Sequence, residues 1–131
     1  MATTIVNGVE FDTLAREMRC KWSADDDKKS LEEAQKALNE VLDELKGVDG
    51  VLKVDRVVCG GCLDFKVITS MPAGPKWEAW EANKFAPEEA FLKKLEGIDG
   101  VSTIETQTYT LMPMYVKEDD EPSSKKAKTD D

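Results

Sequence analysis

A chain of 131 residues, 34% of them charged and with a formal net charge of −9, is sized for one hydrophobic core. Its negative field argues against a nucleic-acid groove or an anionic lipid surface, both of which need concentrated positive charge, and makes a basic protein partner more natural. The absence of histidine removes the usual general base and the commonest zinc ligand, which argues against triad hydrolysis and most zinc catalysis.

Three cysteines, an odd number, suit a reducing compartment better than a disulfide framework. No apolar run approaches a bilayer span, and the start, MATTIVNGVEFDTLARE, lacks the basic end and apolar segment of a signal peptide. The expectation is a cytoplasmic protein with no membrane and no nucleic-acid partner.

Residues 1–12 read as an N-terminal extension and 13–116 as the folded domain. From Thr13 to Trp22 the chain alternates, with Leu14, Met18, Cys20 and Trp22 on one side and Ala15, Glu17, Arg19 and Lys21 on the other, a strand pattern that Arg16 interrupts on its apolar side. After a polar turn, Ser23 to Lys29, the residues Leu31, Ala34, Leu38, Val41, Leu42 and Leu45 recur at three and four, a one-sided helix. Ser30 with Glu33 forms a capping-box pattern at its start, and Gly47 stops it. Asp25, Asp26 and Asp27 ahead of that helix complement its positive end, or hold a cation.

Val51 to Val58 and Leu63 to Thr69 read as two strands separated only by CGGC, hence a hairpin. MPAGPK breaks the chain. WEAWEANKFAPEEAFLKKLEG then reads as helix interrupted at Pro87, which can open a new helix. Val101 to Met112 is a final strand ending at Pro113.

An internal repeat organises these elements. LKGVDGVLKV, Leu45 to Val54, and LEGIDGVSTI, Leu95 to Ile104, each describe a last helical turn, a glycine stop, an Asp-Gly turn and entry into a strand. Two such units, each preceded by a strand, give the order βαββαβ. That order predicts an α+β, ferredoxin-like domain, a four-stranded antiparallel sheet with two helices on one face.

From residue 117 onward, KEDDEPSSKKAKTDD offers charge, Ser and Pro but nothing able to form a core, so a disordered tail is expected. Lys125, Lys126 and Lys128 within it match a short nuclear-import pattern, which keeps the nucleus open beside the cytoplasm.

The CGGC tetrad, Cys59 to Cys62, admits several readings. With Gly60 and Gly61 as the central residues of a two-residue turn, both can take positive φ, and Cys59 then faces Cys62. This register sets Val58 opposite Leu63, Val54 opposite Val67, and Asp55 opposite Lys66. In it the cysteines are directly hydrogen-bonded partners, a pairing that suits disulfide torsions poorly. A thioredoxin-type pair needs a helix N-terminus at its first cysteine, whereas LDFKVI is strand-like. A metal site would draw on Cys59, Cys62 and Cys20 without histidine to complete it. A structural turn is preferred over a redox or metal site, and no cofactor is expected.

Trp77, Trp80 and Phe85 line a ligand pocket on one reading and cover the sheet as an aromatic stripe on the preferred one. Met112 and Met114 form either an adaptable contact surface or simply the end of the last strand.

The runs KWSADDDKKSLEE, DGVLKVDRVVCGG and LDFKV resemble the guanine-nucleotide-exchange domain of translation elongation factor 1 beta. The matching positions are Trp22, Asp26, Leu31, Gly50, Val51, Val58, Gly61 and Lys66, with the turn Gly97 to Val101, over Arg19 to Ile104. The resemblance implies a non-catalytic module acting on a translation GTPase, which works by binding the nucleotide-free partner best. Its contact surface would draw on Cys59, Gly60, Gly61, Cys62, Tyr109 and Met112. The alternative from the residues is a homodimeric α+β barrel in which two open sheet faces enclose a small ligand, because an uncovered face carrying Tyr109 and Leu111 would seek a partner. A thiol redox or metal protein built on the cysteine pair is the third.

Overall fold

A computed structural model of the chain describes residues 2–117; the proposed import lysines and the rest of the tail lie outside the described residues. The elements run β1 (Thr3–Val6), β2 (Val9–Phe11), β3 (Thr13–Lys21), α1 (Asp25–Lys46), β4 (Lys53–Cys59), β5 (Asp64–Pro72), α2 (Pro75–Ala82), α3 (Glu88–Glu96) and β6 (Ser102–Leu111). From β3 onward this is the expected βαββαβ order, with the second helix divided. β4, β5, β3 and β6 lie side by side in that order, all antiparallel. The fold is ferredoxin-like.

Side chains alternate across each strand, so every pairing assigns two residues to one face. Met18 and Cys20 of β3 and Phe65, Val67 and Met71 of β5 join Ala34, Leu38, Val41 and Leu45 of α1, Trp77 and Trp80 of α2, and Phe91 and Leu95 of α3 in a single core. α1, α2 and α3 therefore cover one face of the sheet. Trp77 and Trp80 meet edge to face at 5.6 Å, and Trp80 Nε1–H donates to the Ala86 carbonyl at 2.9 Å. Both rings are buried, and with the partly buried Phe85 they form one aromatic group in the core.

Arg16, the residue that interrupts the apolar alternation, points to the helix side. Its guanidinium forks onto Glu88 of α3, Nε to Oε1 at 2.8 Å and Nη2 to Oε2 at 3.0 Å, while Nη1 donates to Thr108 Oγ1 at 2.9 Å. The same group lies 4.2 Å from the centre of the Phe85 ring. A cation tolerated in a core wall needs this complete set of partners.

The two copies of the repeat superpose in their bonding. Gly47 and Gly97 end α1 and α3, and Gly50 and Gly100 take φ of +98° and +94°. Val51 N–H donates to the Val48 carbonyl and Val101 N–H to the Ile98 carbonyl, each at 3.2 Å. Leu45 and Leu95, which open the two motifs, are fully buried.

Three expectations are corrected. The hairpin register is Val58 opposite Phe65, Val57 opposite Lys66, Asp55 opposite Ile68 and Val54 opposite Thr69, two residues away from the two-residue turn. The loop spans Gly60 to Leu63, and positive φ falls on Leu63, at +61°, instead of on the glycines. Ser30 does not cap its own helix: its hydroxyl accepts from Ser23 N–H at 2.8 Å and donates to the Ser23 carbonyl at 3.2 Å, tying the helix to the end of β3. In addition, residues 3–11 of the N-terminal extension form a hairpin, β1 with β2, turning at Gly8 with φ +85°; Asn7-Gly8 between extended runs is the sequence signal for it.

Candidate functional site

Among the described residues, the second face of the sheet carries no helix. Pairing places Lys53, Asp55, Val57 and Cys59 of β4, Asp64, Lys66, Ile68 and Ser70 of β5, Ala15, Glu17, Arg19 and Lys21 of β3, and Glu105, Gln107 and Tyr109 of β6 on it. The alternation that puts Met18 and Cys20 into the core requires this, and the residues so exposed are mostly polar.

They are not loose surface groups. Tyr109 Oη–H donates to Glu17 Oε1 at 3.1 Å, and Arg19 Nη1 lies 3.5 Å from Glu17 Oε2. Arg19 Nη2 reaches Asp64 Oδ1 at 3.1 Å, and Lys21 Nζ reaches the same oxygen at 2.7 Å. The result is one network from Tyr109 on the edge strand to Asp64 beside the CGGC loop. Glu17 is 4% exposed and Asp64 8%, although among the described residues no layer of structure lies over them. Ser70, on the same face, is also buried, and its Oγ has no hydrogen-bond partner among the described residues.

Burial, followed by the Glu17 carboxylate that faces it, pushes the Tyr109 phenol up to about 12. The hydrogen bond from Lys21, reinforced by the Lys21 and Arg19 charges, holds the Asp64 carboxyl below its ordinary value. For Tyr109 the folded value exceeds the ordinary 10.0, so the folded protein keeps a proton that the unfolded chain releases, and stability falls as pH rises from 10.0 to about 12. Urea unfolding across that range is expected to show a shallower alkaline loss in Tyr109→Phe. Parallel curves for the two proteins would remove the phenol from the network.

The cysteines separate into two environments. Cys59 and Cys62 are bonded as a disulfide with Cα atoms 5.7 Å apart. They are not cross-strand partners, since Cys59 pairs with Asp64; the four-residue loop curls Cys62 back toward Cys59, which removes the geometric objection to a bridge. Cys20 is buried on the helix side, and burial, followed by the Asp64 charge, pushes its thiol up to about 11. No group of three Cys, Asp, Glu or His side chains among the described residues is placed to hold a metal, so the Cys20, Cys59 and Cys62 set is not brought together. Gly60 and Gly61 are exposed at the loop tip, and Met112 is exposed just beyond β6. The tetrad and Tyr109 lie at different places on the open face, joined through the Glu17–Arg19–Asp64 network that sequence reading missed. Its signal was Glu17, Arg19 and Lys21 alternating on one side of a single strand.

No family model matches the chain, and no curated protein does. Solved structures do. An antibiotic biosynthesis monooxygenase of Deinococcus radiodurans, so described, aligns with a TM-score of 0.58 at 13% identity over 80% of this chain and 98% of its own. A dimeric ferredoxin-like protein from an uncultured marine organism aligns at 0.56 and 11% identity over 82% and 94%. Rv0793 of Mycobacterium tuberculosis aligns at 0.52 and 11% identity over 81% and 99%. The likeness is one of fold. Nothing in these matches points to an elongation-factor exchange domain. Among the described residues, no helix is long and apolar enough to cross a membrane.

Proposed function

We propose that the protein is a homodimer in which the uncovered sheet faces of two copies close a chamber that binds a small polar organic ligand. The observation that carries this reading is the hydrogen-bonded network Tyr109–Glu17–Arg19–Asp64–Lys21, with Glu17 and Asp64 buried, on a face that has no covering layer among the described residues. Leaving such a face to bulk water wastes its organisation, whereas a second sheet at about 10 Å would enclose it. Charge supports a two-fold arrangement. Asp55 and Glu17 lie in one cross-strand row and Lys66 and Arg19 in the next, so the face offers each sign to the other on a copy of itself.

Apolar side chains at the end of β6 add to the case. Leu111 and Met112 are more than a third exposed, and Met114, Tyr115 and Val116 more than two thirds, a run that a partner would cover. Several of the similar structures carry the name antibiotic biosynthesis monooxygenase, which gives an organic molecule as the ligand class. Tyr109 and Glu17 are the groups to hold and orient its polar atoms, with Ser70 Oγ as an unused donor.

Sedimentation equilibrium is expected to give twice the 14.6 kDa chain mass, and Ile68→Lys, which places a charge in the middle of the open face, to give the monomer. A wild-type monomer at all concentrations would end the reading. The resemblance to an exchange domain makes a different claim, that the hairpin meets a GTPase; release of labelled GDP from an elongation GTPase at micromolar protein distinguishes it.

A further inference from the structure

The chamber reading does not use the CGGC loop. We propose that Cys59 and Cys62 are a thiol–disulfide exchange site for small-molecule thiols, in which Cys62 is the sulfur attacked, Cys59 the thiolate released, and Asp64 the acceptor that holds the reduced Cys62.

Access is the first ground. Cys62 is exposed and Cys59 half-buried, and a side chain built on Gly60 or Gly61 would meet no atom of the described residues within 4 Å. An incoming thiolate therefore reaches Cys62 Sγ over two residues without side chains. The second ground is the division of the pair by its neighbours. The backbone N–H of Cys62 points at Cys59 Sγ at 3.2 Å, a donor that stabilises negative charge on that sulfur. Cys62 Sγ lies 3.3 Å from Asp64 Oδ2, where a carboxylate disfavours a thiolate and accepts from a thiol. The other Asp64 oxygen is held by Lys21 and Arg19, and Lys21 Nζ also donates to the Cys62 carbonyl at 2.8 Å. The loop thus stays docked whichever redox state the sulfurs hold.

The third ground is that the fold does not depend on the bond. It spans three positions in sequence, and a disulfide closing so short a loop removes little freedom from the unfolded chain. The β4–β5 ladder runs to Cys59 opposite Asp64 without it. Neither cysteine opens a helix, so the thiolate here is favoured by one backbone amide and not by a helix terminus.

The exchange balances as follows. A thiolate RS⁻ attacks Cys62 Sγ, forming a mixed disulfide as the Cys59–Cys62 bond breaks and Cys59 departs as a thiolate, which then takes a proton from solvent. A second RS⁻ attacks the R sulfur, releasing RSSR and the Cys62 thiolate, which is protonated and donates to Asp64 Oδ2. Two thiols are oxidised to one disulfide and the protein gains two electrons and two protons.

The test uses the full chain in reduced and oxidised glutathione mixtures, approached from both directions, quenched with an alkylating reagent and read by intact mass. The expected result is one reversible two-thiol transition at Cys59 and Cys62, with Cys20 unlabelled until the protein is unfolded. In the wild-type chain quenched part-way through reduction, peptide mapping is expected to find the mixed disulfide with glutathione on Cys62 and the alkylating reagent on Cys59. Asp64→Asn weakens the acceptor and is expected to move the midpoint toward the disulfide by about threefold or more, taking about 0.7 kcal/mol for a weakened thiol hydrogen bond. Failure to form the bond in fully oxidised glutathione, or to reduce it in the folded protein with excess glutathione, overturns the proposal. Glutathione found on Cys59 as often as on Cys62 overturns the assigned roles, and an unmoved midpoint in Asp64→Asn overturns the role of the carboxylate. Asp64 belongs to both sites, but the two-thiol transition and the position of the mixed disulfide are read independently of the dimer mass of the wild-type chain, so the failure of one reading is distinguishable from the failure of the other.

Discussion

Arg16→Ala is expected to cost about 3 kcal/mol of stability, the sum of a broken partly buried ion pair, a lost hydrogen bond and a lost contact with an aromatic face. The side chains of Arg16 and Glu88 are 16% and 12% exposed, so removing the guanidinium leaves a carboxylate in a wall of the core with only residual access to water. The full range for a wholly buried pair does not apply at that exposure, which is why the figure sits at its lower end. Arg16→Lys keeps the charge but cannot fork onto both carboxylate oxygens, reach Thr108 and lie over Phe85 at once; it should recover only part of the loss. Urea midpoints at constant slope measure both. A loss under about 1 kcal/mol for the alanine variant would mean that the pair behaves as a surface salt bridge.

The second large effect separates the twin turns. Gly100→Ala is expected to destabilise by about 2 kcal/mol or more, because φ of +94° is costly for any residue with a Cβ and the new atom would stand 3.0 Å from Ser30 Cβ and 3.3 Å from Ser23 Cβ. Those two serines form the knot between β3 and α1, so withdrawing either strains the hydrogen bonds that tie the helix to the strand. At Gly50 the φ is +98°, but the nearest neighbours are the Lys76 side-chain carbons at 3.1 Å, one of them on a flexible stem that can move. Gly50→Ala should therefore cost about 1 kcal/mol, mostly from the backbone. Equal losses at the two positions would show that backbone conformation alone decides them.

These cases also show what the sequence made legible. The repeat carried the architecture, since Leu45–Val54 and Leu95–Ile104 fold into the same helix-stop-turn-strand unit and their placement dictated a ferredoxin-like sheet. The core could be read for the same reason: Met18, Cys20, Leu38, Val41 and Leu45 follow the periods of the strand and helix they occupy. The hairpin register was not legible, because a two-residue and a four-residue turn share the letters CGGC and differ by where positive φ falls. A slip of two residues keeps every side chain on its face. The core assignment therefore survived a register that was wrong.

The site was harder to read. Arg16 stood out as an anomaly, but its partner Glu88 lies 72 residues away, and no local pattern links them. Glu17, Arg19 and Lys21 read as the polar side of a strand; that they are bonded to Tyr109 and Asp64, and that Glu17 is buried, follows only from the strand order. The tetrad misled through the same register, which set the cysteines directly opposite one another and made a bridge unfavourable. Asn7-Gly8 was the one clear signal passed over.

The central claim is that the bare face of the sheet meets its own copy. Radical footprinting of Ile68 and Tyr109 across a concentration series, with mass measured in parallel, tests it most directly. Their labelling should fall as the dimer forms, while residues on the outer faces of α1 and α3 stay constant. Unchanged labelling of Ile68 and Tyr109 in a protein that is dimeric by mass would place the contact elsewhere and contradict the account.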